Sequence, residues 1–308
     1  MKDIIKVATV NFHAEWGKKK KNLERMLGYI ETAANAGNNL IVFPEMALTG
    51  YDDEADKTRE EKMQYKEAEV IPGDSSNAVA ELSSKYGIYV VFGMPERSAE
   101  DYEKIYNSAC VCGPDGIIGA YRKIHLPYPE MHWANRGEDP FIFDTEWGPI
   151  GVSICYDTYC FPELMRFYAA KGCRMHINCT AHARCHGTFL AKSSLETSAA
   201  VNNIFITTSN LVGVDVVNDF WGGSSILGPG PGIMEAKYYA GYPFFDPAGI
   251  EHAMYEAVLD LSLATRDMFE PNPLVNNTTD YNPLVYKKLM DELLKDPKFT
   301  RKEFDERN

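Results

Sequence analysis

No run of about eighteen apolar residues occurs in this 308-residue chain, so no transmembrane helix is expected. The continuous apolar core of a signal peptide is missing too: Asp3 and Lys6 interrupt Met1-Lys-Asp-Ile-Ile-Lys-Val-Ala-Thr-Val10, which reads instead as a first buried strand. Positive charge is in short supply, with 31 Lys and Arg against 44 Asp and Glu, a formal net charge of -13. Neither nucleic acid nor an anionic membrane is then expected as a partner, since both need a basic face that displaces counterions. There is no Pro/Gly/Ser-rich linker, no low-complexity tract and no repeat of solenoid length. One large domain over residues 1–262 is expected, with residues 263–308 as a C-terminal extension. Cysteine occurs seven times, an odd number that, without a leader, points to reduced thiols and a cytoplasmic protein. The Asn-x-Thr matches at Asn276 and Asn277 then carry no glycosylation.

What is present alternates between two periods. Leu23, Met26, Leu27, Ile30, Ala33 and Ala34 share one face of a predicted helix that stops at Gly37-Asn-Asn39. A strand through Ile41 to Phe43 follows, then a helix from about Ser75 to Tyr86 and the strand Ile88–Phe92. Residues 106–113 and 117–123 read as a hairpin joined by Gly113-Pro-Asp-Gly116. Residues 149–155 form another strand, Pro162 opens a helix where a missing N–H costs nothing, and Cys173–Cys179 return as a strand. A helix over residues 188–202 and the strand Ile204–Ser209 follow, and Val285, Leu289 and Leu293 mark one late amphipathic helix before a charged end. Such alternation predicts an α/β fold of two mixed sheets with helices outside.

Three strand ends carry chemistry. Ile41-Val-Phe-Pro-Glu45 delivers a carboxylate, Tyr121-Arg-Lys-Ile-His125 a cation at Lys123, and Ile150-Gly-Val-Ser-Ile-Cys-Tyr-Asp157 a thiol at Cys155. Strands of one α/β layer ending in Glu, Lys and Cys would bring base, cation and nucleophile together at the sheet edge where ligands bind. A lone Cys in an apolar strand is ordinarily a small core residue. Glu45 alone could be a surface strand end and Lys123 a solvated charge, but the three together are hard to dismiss.

Here the chain resembles the nitrilase (carbon-nitrogen hydrolase) superfamily, whose members carry a Glu-Lys-Cys triad in this order. Thr49-Gly-Tyr51, His125-Leu-Pro127, Phe161-Pro-Glu163 and Phe220-Trp-Gly-Gly-Ser-Ser-Ile226 match its other motifs, and the likeness runs from the first strand to about residue 235. Glu130, seven residues before Gly137, corresponds to the family's accessory glutamate, although the residues before that Gly are altered to Trp133, Ala134 and Arg136. Cys155 to Glu163 is one residue longer than the usual count, which makes Tyr159 or Cys160 an insertion expected to reshape the substrate pocket.

The resemblance implies a four-layer αββα sandwich and a homo-oligomer, a dimer or larger, in which the C-terminal extension packs on the domain or on a neighbouring subunit. It also implies hydrolysis of a non-peptide C–N bond in a small amide or N-carbamoyl compound, with no cofactor and no metal. Cys155 would be the nucleophile and Glu45 the base. Lys123 and the backbone N–H of Tyr156 would hold the oxyanion, and Glu130 would orient Lys123 or the amide nitrogen. Tyr159, His132, Trp133, Asn178 and Arg184 are candidates to contact substrate. Direct hydrolysis of a nitrile, or a silent scaffold of the same fold, are the alternatives.

Two features pull elsewhere. Cys173, His176, Cys179, His182, Cys185 and His186 crowd one stretch and invite a zinc hypothesis, but their spacing fits no common zinc pattern, and buried thiols with loop imidazoles are the default. Arg184 would suit a carboxylate substrate, whereas Asp52-Asp-Glu-Ala-Asp56 would suit an amine.

Overall fold

Residues 1–300 are described by the computed structural model. The N-terminal run forms β1 (Ile4–Val10), and α1 (Lys19–Asn35) follows, burying Met26, Ile30 and Ala33 on the face that the helical spacing predicted. Burying a side chain the size of Met or Ile contributes about 1.5–3 kcal/mol, so this face holds the helix in place. After β2 (Leu40–Val42) and an acidic loop come α2 (Met63–Glu67) and α3 (Asp74–Tyr86). Gly87 closes α3 in the left-handed conformation (φ 66°), which a Cβ would strain. Next come β3 (Tyr89–Arg97), β4 (Ile105–Gly113) and β5 (Gly116–Arg122), the last two joined by the expected turn.

The second half runs β6 (Phe141–Thr145), β7 (Gly148–Ile154), α4 (Tyr156–Cys160), α5 (Pro162–Ala170), β8 (Met175–Thr180), α6 (Thr188–Asn202) and β9 (Phe205–Asn210). It ends with β10 (Val212–Val214), β11 (Asp219–Trp221), β12 (Ser225–Pro229), β13 (Ala236–Gly241) and β14 (Met254–Asp260). One six-stranded sheet has the order β14-β1-β2-β3-β4-β5 and the other β13-β12-β9-β8-β7-β6, while β10 and β11 form a separate ribbon. In each large sheet a parallel centre, β1-β2-β3 or β7-β8-β9, is flanked by antiparallel strands.

The two-residue period of β2 shows the layers. Leu40 and Val42 face a core shared by both sheets, with Val7 and Val91 from one and Ile150, Val152 and Ile177 from the other. Ile41 and Phe43 face the opposite way, into a core with Met26 and Ile30 of α1 and Val79 of α3. Across the molecule Tyr168 of α5 donates its hydroxyl to Val152 O (2.8 Å), so helices cover the outside of the second sheet as well. Thr9 Oγ1 donates to Thr208 O (2.7 Å) and Ser209 Oγ to Val10 O (2.8 Å), tying the sheets together at their centre. The result is the α/β sandwich of two mixed sheets with helices outside.

The chain divides into two compact units, Met1–Thr265 and Arg266–Asn308. In the second, α7 (Pro283–Leu293) is capped by the Asn282 side chain, which accepts from Leu284 N–H (3.2 Å). Its Val285, Leu289 and Leu293 are exposed. The charged end beyond residue 300 lies outside the described residues. Among the described residues no helix is long and apolar enough to cross a membrane.

Candidate active site

The site belongs to the first unit and begins where β2 ends. Past Val42 the chain keeps contact with β3, through Phe43 N–H to Val91 O (2.8 Å) and Gly93 N–H to Pro44 O (3.0 Å), and this carries Glu45 into full burial. Its Oε1 accepts from Lys123 Nζ (2.6 Å) and Asn107 Nδ2 (2.7 Å), and its Oε2 from Ala181 N–H (2.8 Å). Gly93 makes this approach possible, because a Cβ there would sit 2.3 Å from Met46 N and 2.5 Å from Glu45 Cα. Both contacts are with backbone, which cannot swing aside. Gly93→Ala should therefore displace Glu45 and lower kcat about 100-fold, the scale on which a misplacement of about 1 Å slows catalysis, as steady-state kinetics would show.

Lys123 stands one residue beyond β5. Its N–H donates to Asn107 O (2.8 Å) and its carbonyl accepts from Gly137 N–H (2.8 Å), which fixes the backbone. Nζ lies 2.6 Å from both Glu45 Oε1 and Glu130 Oε1, and all three side chains are buried. Glu130 also accepts from Tyr51 OH (2.8 Å) and from Asn107 Nδ2 (3.0 Å). Burial pulls the Lys123 pKa down, but the two carboxylates outweigh it and the amine is held as ammonium, its pKa above the ordinary value. Burial pushes the Glu130 carboxyl up to about 7, against the pull of Lys123 and with reinforcement from the charge on Glu45.

Cys155 follows β7 directly, at a sharp turn into α4 that leaves it with φ 47°. A non-glycine residue held there stores about 1–3 kcal/mol, and the surroundings must over-determine it. They do: its N–H is shared between Cys179 O (2.9 Å) and Asn178 Oδ1 (3.0 Å). Burial and the charge on Glu45 push the thiol pKa well up, while Lys123, the Thr180 hydroxyl and Ala181 N–H pull the other way. The resting group is thus a neutral thiol beside a carboxylate, the pairing that a thiol nucleophile and its base require.

Asp157, two residues on, ties the Cys155 turn to the Lys123 segment. It accepts from Tyr121 OH (2.6 Å), Ile124 N–H (3.2 Å), His125 N–H (2.8 Å) and His125 Nδ1 (2.7 Å). The His125 ring in turn stacks on Phe161 at 3.5 Å between centroids, which seats the Phe161-Pro-Glu163 turn.

Above the sulfur opens a cavity of about 510 Å³, walled by Tyr128, Tyr156, Tyr159, Leu190 and Val217 among others. Its acids are already engaged. The Asp52 carboxylate accepts from Val217 N–H (2.6 Å) and Asn218 N–H (3.0 Å), and Asp53 pairs with Lys62 (2.6 Å) and His132 (3.2 Å). Asp215 returns the tie by accepting from Tyr51 N–H (2.8 Å) and Asp52 N–H (3.0 Å), so two wall segments brace each other. His182 and His186 complete the lining, and burial pulls the His182 pKa down to about 4, leaving it neutral. Among the described residues that line the cavity there is no Lys or Arg.

A half-buried thiol at a cavity wall, with a buried carboxylate and ammonium in electrostatic contact behind it, is a constellation for acyl transfer. The sequence model of the carbon-nitrogen hydrolase family matches residues 6–234. The chain belongs to this family. A nitrilase from Pyrococcus abyssi is 34% identical over 228 residues, which are 73% of this chain and 82% of that protein. An omega-amidase from Danio rerio is 31% identical over 236 residues, 73% and 80% of the two chains. The solved structure of Nit3 from Saccharomyces cerevisiae, described as a member of branch 10 of the nitrilase superfamily, has 27% sequence identity. It superimposes with a TM-score of 0.71, covering 86% of this chain and 93% of that one.

In this carbon-nitrogen hydrolase Glu45, Lys123, Glu130 and Cys155 come together, and Tyr156, Tyr159 and His132 line the cavity. Asn178 lies beneath the cavity, bonded to the Cys155 backbone. Two residues expected to contact substrate are elsewhere. Trp133 is buried in a cluster with Met46, Ile105 and Leu126, and Arg184 pairs with Asp219 (2.6 Å) while its guanidinium lies 4.0 Å over Trp221. Asn107 and Asp157 were missed; their only sequence signal is a polar residue in an apolar run and an acid beside the thiol. In the Cys- and His-rich stretch, His176 turns to Ser153 while Cys179 enters the inter-sheet core, and among the described residues no three His, Cys, Asp or Glu are grouped to hold a metal.

Proposed function

We propose that this carbon-nitrogen hydrolase is an amidase that cleaves a small uncharged amide through a thioester on Cys155. The observation that carries the reading is Lys123 clamped between Glu45 and Glu130, behind the cavity wall and in electrostatic contact with Cys155, which opens into the cavity. Glu45 would take the thiol proton as Sγ bonds to the carbonyl carbon and the π electrons move to oxygen. An ammonium has three donors, of which the two carboxylates take two, and the third would meet the oxyanion together with Tyr156 N–H. The proton on Glu45 then passes to the amide nitrogen, the C–N bond breaks and ammonia or an amine leaves. Water activated by Glu45 adds to the thioester, the C–S bond breaks, and the sulfur recovers its proton. Glu130, Asn107 and Tyr51 hold Lys123 and Glu45 in place for both halves.

The charge of the substrate follows from the lining. A bound carboxylate would lose its hydration beside Asp52 and Asp53 with no lining cation to replace it, at a cost of several kcal/mol. A cationic group would find both aspartates already paired. An amide with an apolar or aromatic group fits the tyrosine, leucine and valine walls. The omega-amidase and nitrilase relatives set the competing classes. The test is ammonia release from matched panels of uncharged amides, amides bearing a terminal carboxylate, carbamoyl compounds and nitriles. The best uncharged amide should exceed its carboxylate-bearing counterpart by at least about tenfold in kcat/KM. A preference for the carboxylate would overturn the charge assignment, and release from nitriles alone would overturn the amidase reading.

A further inference from the structure

The tip of the β10-β11 ribbon is fastened to the segment after β2 by two aspartates, each accepting from the other's backbone. Residues 215–218 join β10 to β11, and Asp215 N–H closes this turn on Asn218 O (3.0 Å). Asp215 Oδ2 accepts from two consecutive amides of the other segment, Tyr51 N–H (2.8 Å) and Asp52 N–H (3.0 Å). Asp52 Oδ2 in turn accepts from two consecutive amides of the ribbon, Val217 N–H (2.6 Å) and Asn218 N–H (3.0 Å). The four bonds close a ring, so releasing one carboxylate loosens the backbone that holds the other. Gly50 leaves room for it: at φ 87° a Cβ would lie 3.0 Å from Trp16 Cα and 3.2 Å from Asp215 Oδ2. Burial pushes the Asp215 carboxyl up to about 6 against the pull of the two amides, with the charge on Asp52 reinforcing it and His13 opposing, so the group is ionised at pH 8.

We propose that Asp215 is a positioning residue that sets, through this ring, both the clamp on Lys123 and the reach of the substrate cavity. Two routes leave the ring. One is Tyr51, whose N–H is held by Asp215 and whose hydroxyl donates to Glu130 Oε1 (2.8 Å), the oxygen that lies 2.6 Å from Lys123 Nζ. A shift of the Tyr51 backbone therefore moves a bond to the carboxylate that orients the ammonium. Phe220 of β11 meets the Tyr51 ring edge-on at 6.0 Å between centroids, so the ribbon supports the ring of Tyr51 as well as its backbone. The other route is Val217, which lines the cavity and whose N–H is held by Asp52. Val217 is 79% exposed, so few side-chain contacts fix it and its place depends on that backbone bond. Asp215 itself does not line the cavity, and its effect on the reaction passes through Tyr51 and Val217.

This inference rests on the amidase reading of the site. It is tested on the full chain at pH 8 by kcat and KM for two uncharged amides, one small and one bearing a bulky apolar group. Asp215→Ala should lower kcat about tenfold for both, through the displaced bond to Glu130, and raise KM about fivefold for the bulky amide alone. A merely structural role would reduce the amount of active enzyme, lowering kcat for both amides and leaving both KM values where they were. Tyr51→Phe, which loses the hydroxyl and keeps the backbone N–H, should lower kcat to a similar extent without moving either KM. In the double variant the two kcat losses should fall short of multiplying, because both act on the same bond. Asp215→Asn keeps an acceptor but not the charge, which leaves its bonds about half as strong. Its KM for the bulky amide should therefore lie between those of wild type and Asp215→Ala, and it serves if the alanine variant fails to fold. A ratio of the two KM values equal to that of wild type in every folded Asp215 variant would overturn the proposal while leaving the amidase reading intact. Undiminished ammonia release by Cys155→Ala would overturn that reading and this inference with it.

Discussion

Cys155→Ala is expected to lose about 10⁶-fold in turnover while staying folded. Hydrolases stripped of their nucleophile fall to the small advantage over water that oxyanion donors and binding alone sustain. The fold should tolerate the change because the resting thiol is neutral, so its removal leaves no buried charge without a partner. Ala181 N–H keeps its bond to Glu45 Oε2 at 2.8 Å. The alanine inherits the positive φ, so the strain of the turn neither appears nor disappears. The expected result is ammonia release at background with a melting temperature within a few degrees of wild type, read by a coupled ammonia assay and by circular dichroism. Retained turnover would remove Cys155 from the mechanism. A collapsed melting transition would show that the sulfur is structural first.

Lys123→Ala should fail in both respects. In the proposed mechanism the variant loses an oxyanion donor, which typically costs about 100-fold or more in kcat. It also leaves Glu45 and Glu130 facing each other in a buried site without the ammonium that lies 2.6 Å from each, and breaking a buried pair in this way costs about 3–5 kcal/mol. The pH dependence distinguishes this cause from simple loss of packing. In the variant the Glu130 carboxyl, raised by burial, loses the opposing pull of Lys123, so the folded state binds more protons than the unfolded chain and its stability rises as the pH falls. The deficit against wild type should be larger at pH 8 than at pH 5, measured by denaturant unfolding at both. A deficit that does not vary with pH would mean that the lost alkyl chain, not the unpaired carboxylates, sets the cost.

Local pattern made much of this fold legible. The 3.6-residue spacing of Met26, Ile30 and Ala33 marked α1, and Gly113-Pro-Asp-Gly116 marked the β4-β5 turn, because in both cases neighbours in sequence decide the conformation. β10 to β13 were not legible. β10 and β11 are three residues each, β12 reads Ser-Ile-Leu-Gly-Pro, and β13 is only partly buried, so none shows a clear period of two. Arg184 shows the same limit for side chains. Its position after a site-facing strand suggested substrate, but Asp219 and the face of Trp221, brought close by the β10-β11 ribbon, take its charge.

The sequence by itself determined which groups could do the chemistry, because Glu45, Lys123 and Cys155 each stand at the end of a strand whose apolar pattern is local and strong. Only the tertiary structure decided what surrounds them. Asn107 reaches Glu45 across 62 residues, Ala181 reaches it across 136, and Asn218 closes on Asp52 across 166. Partners that distant are set by the packing of two sheets, not by any spacing along the chain. The charge of the cavity wall and the setting of Glu45 depend on those partners, so both are properties of the fold.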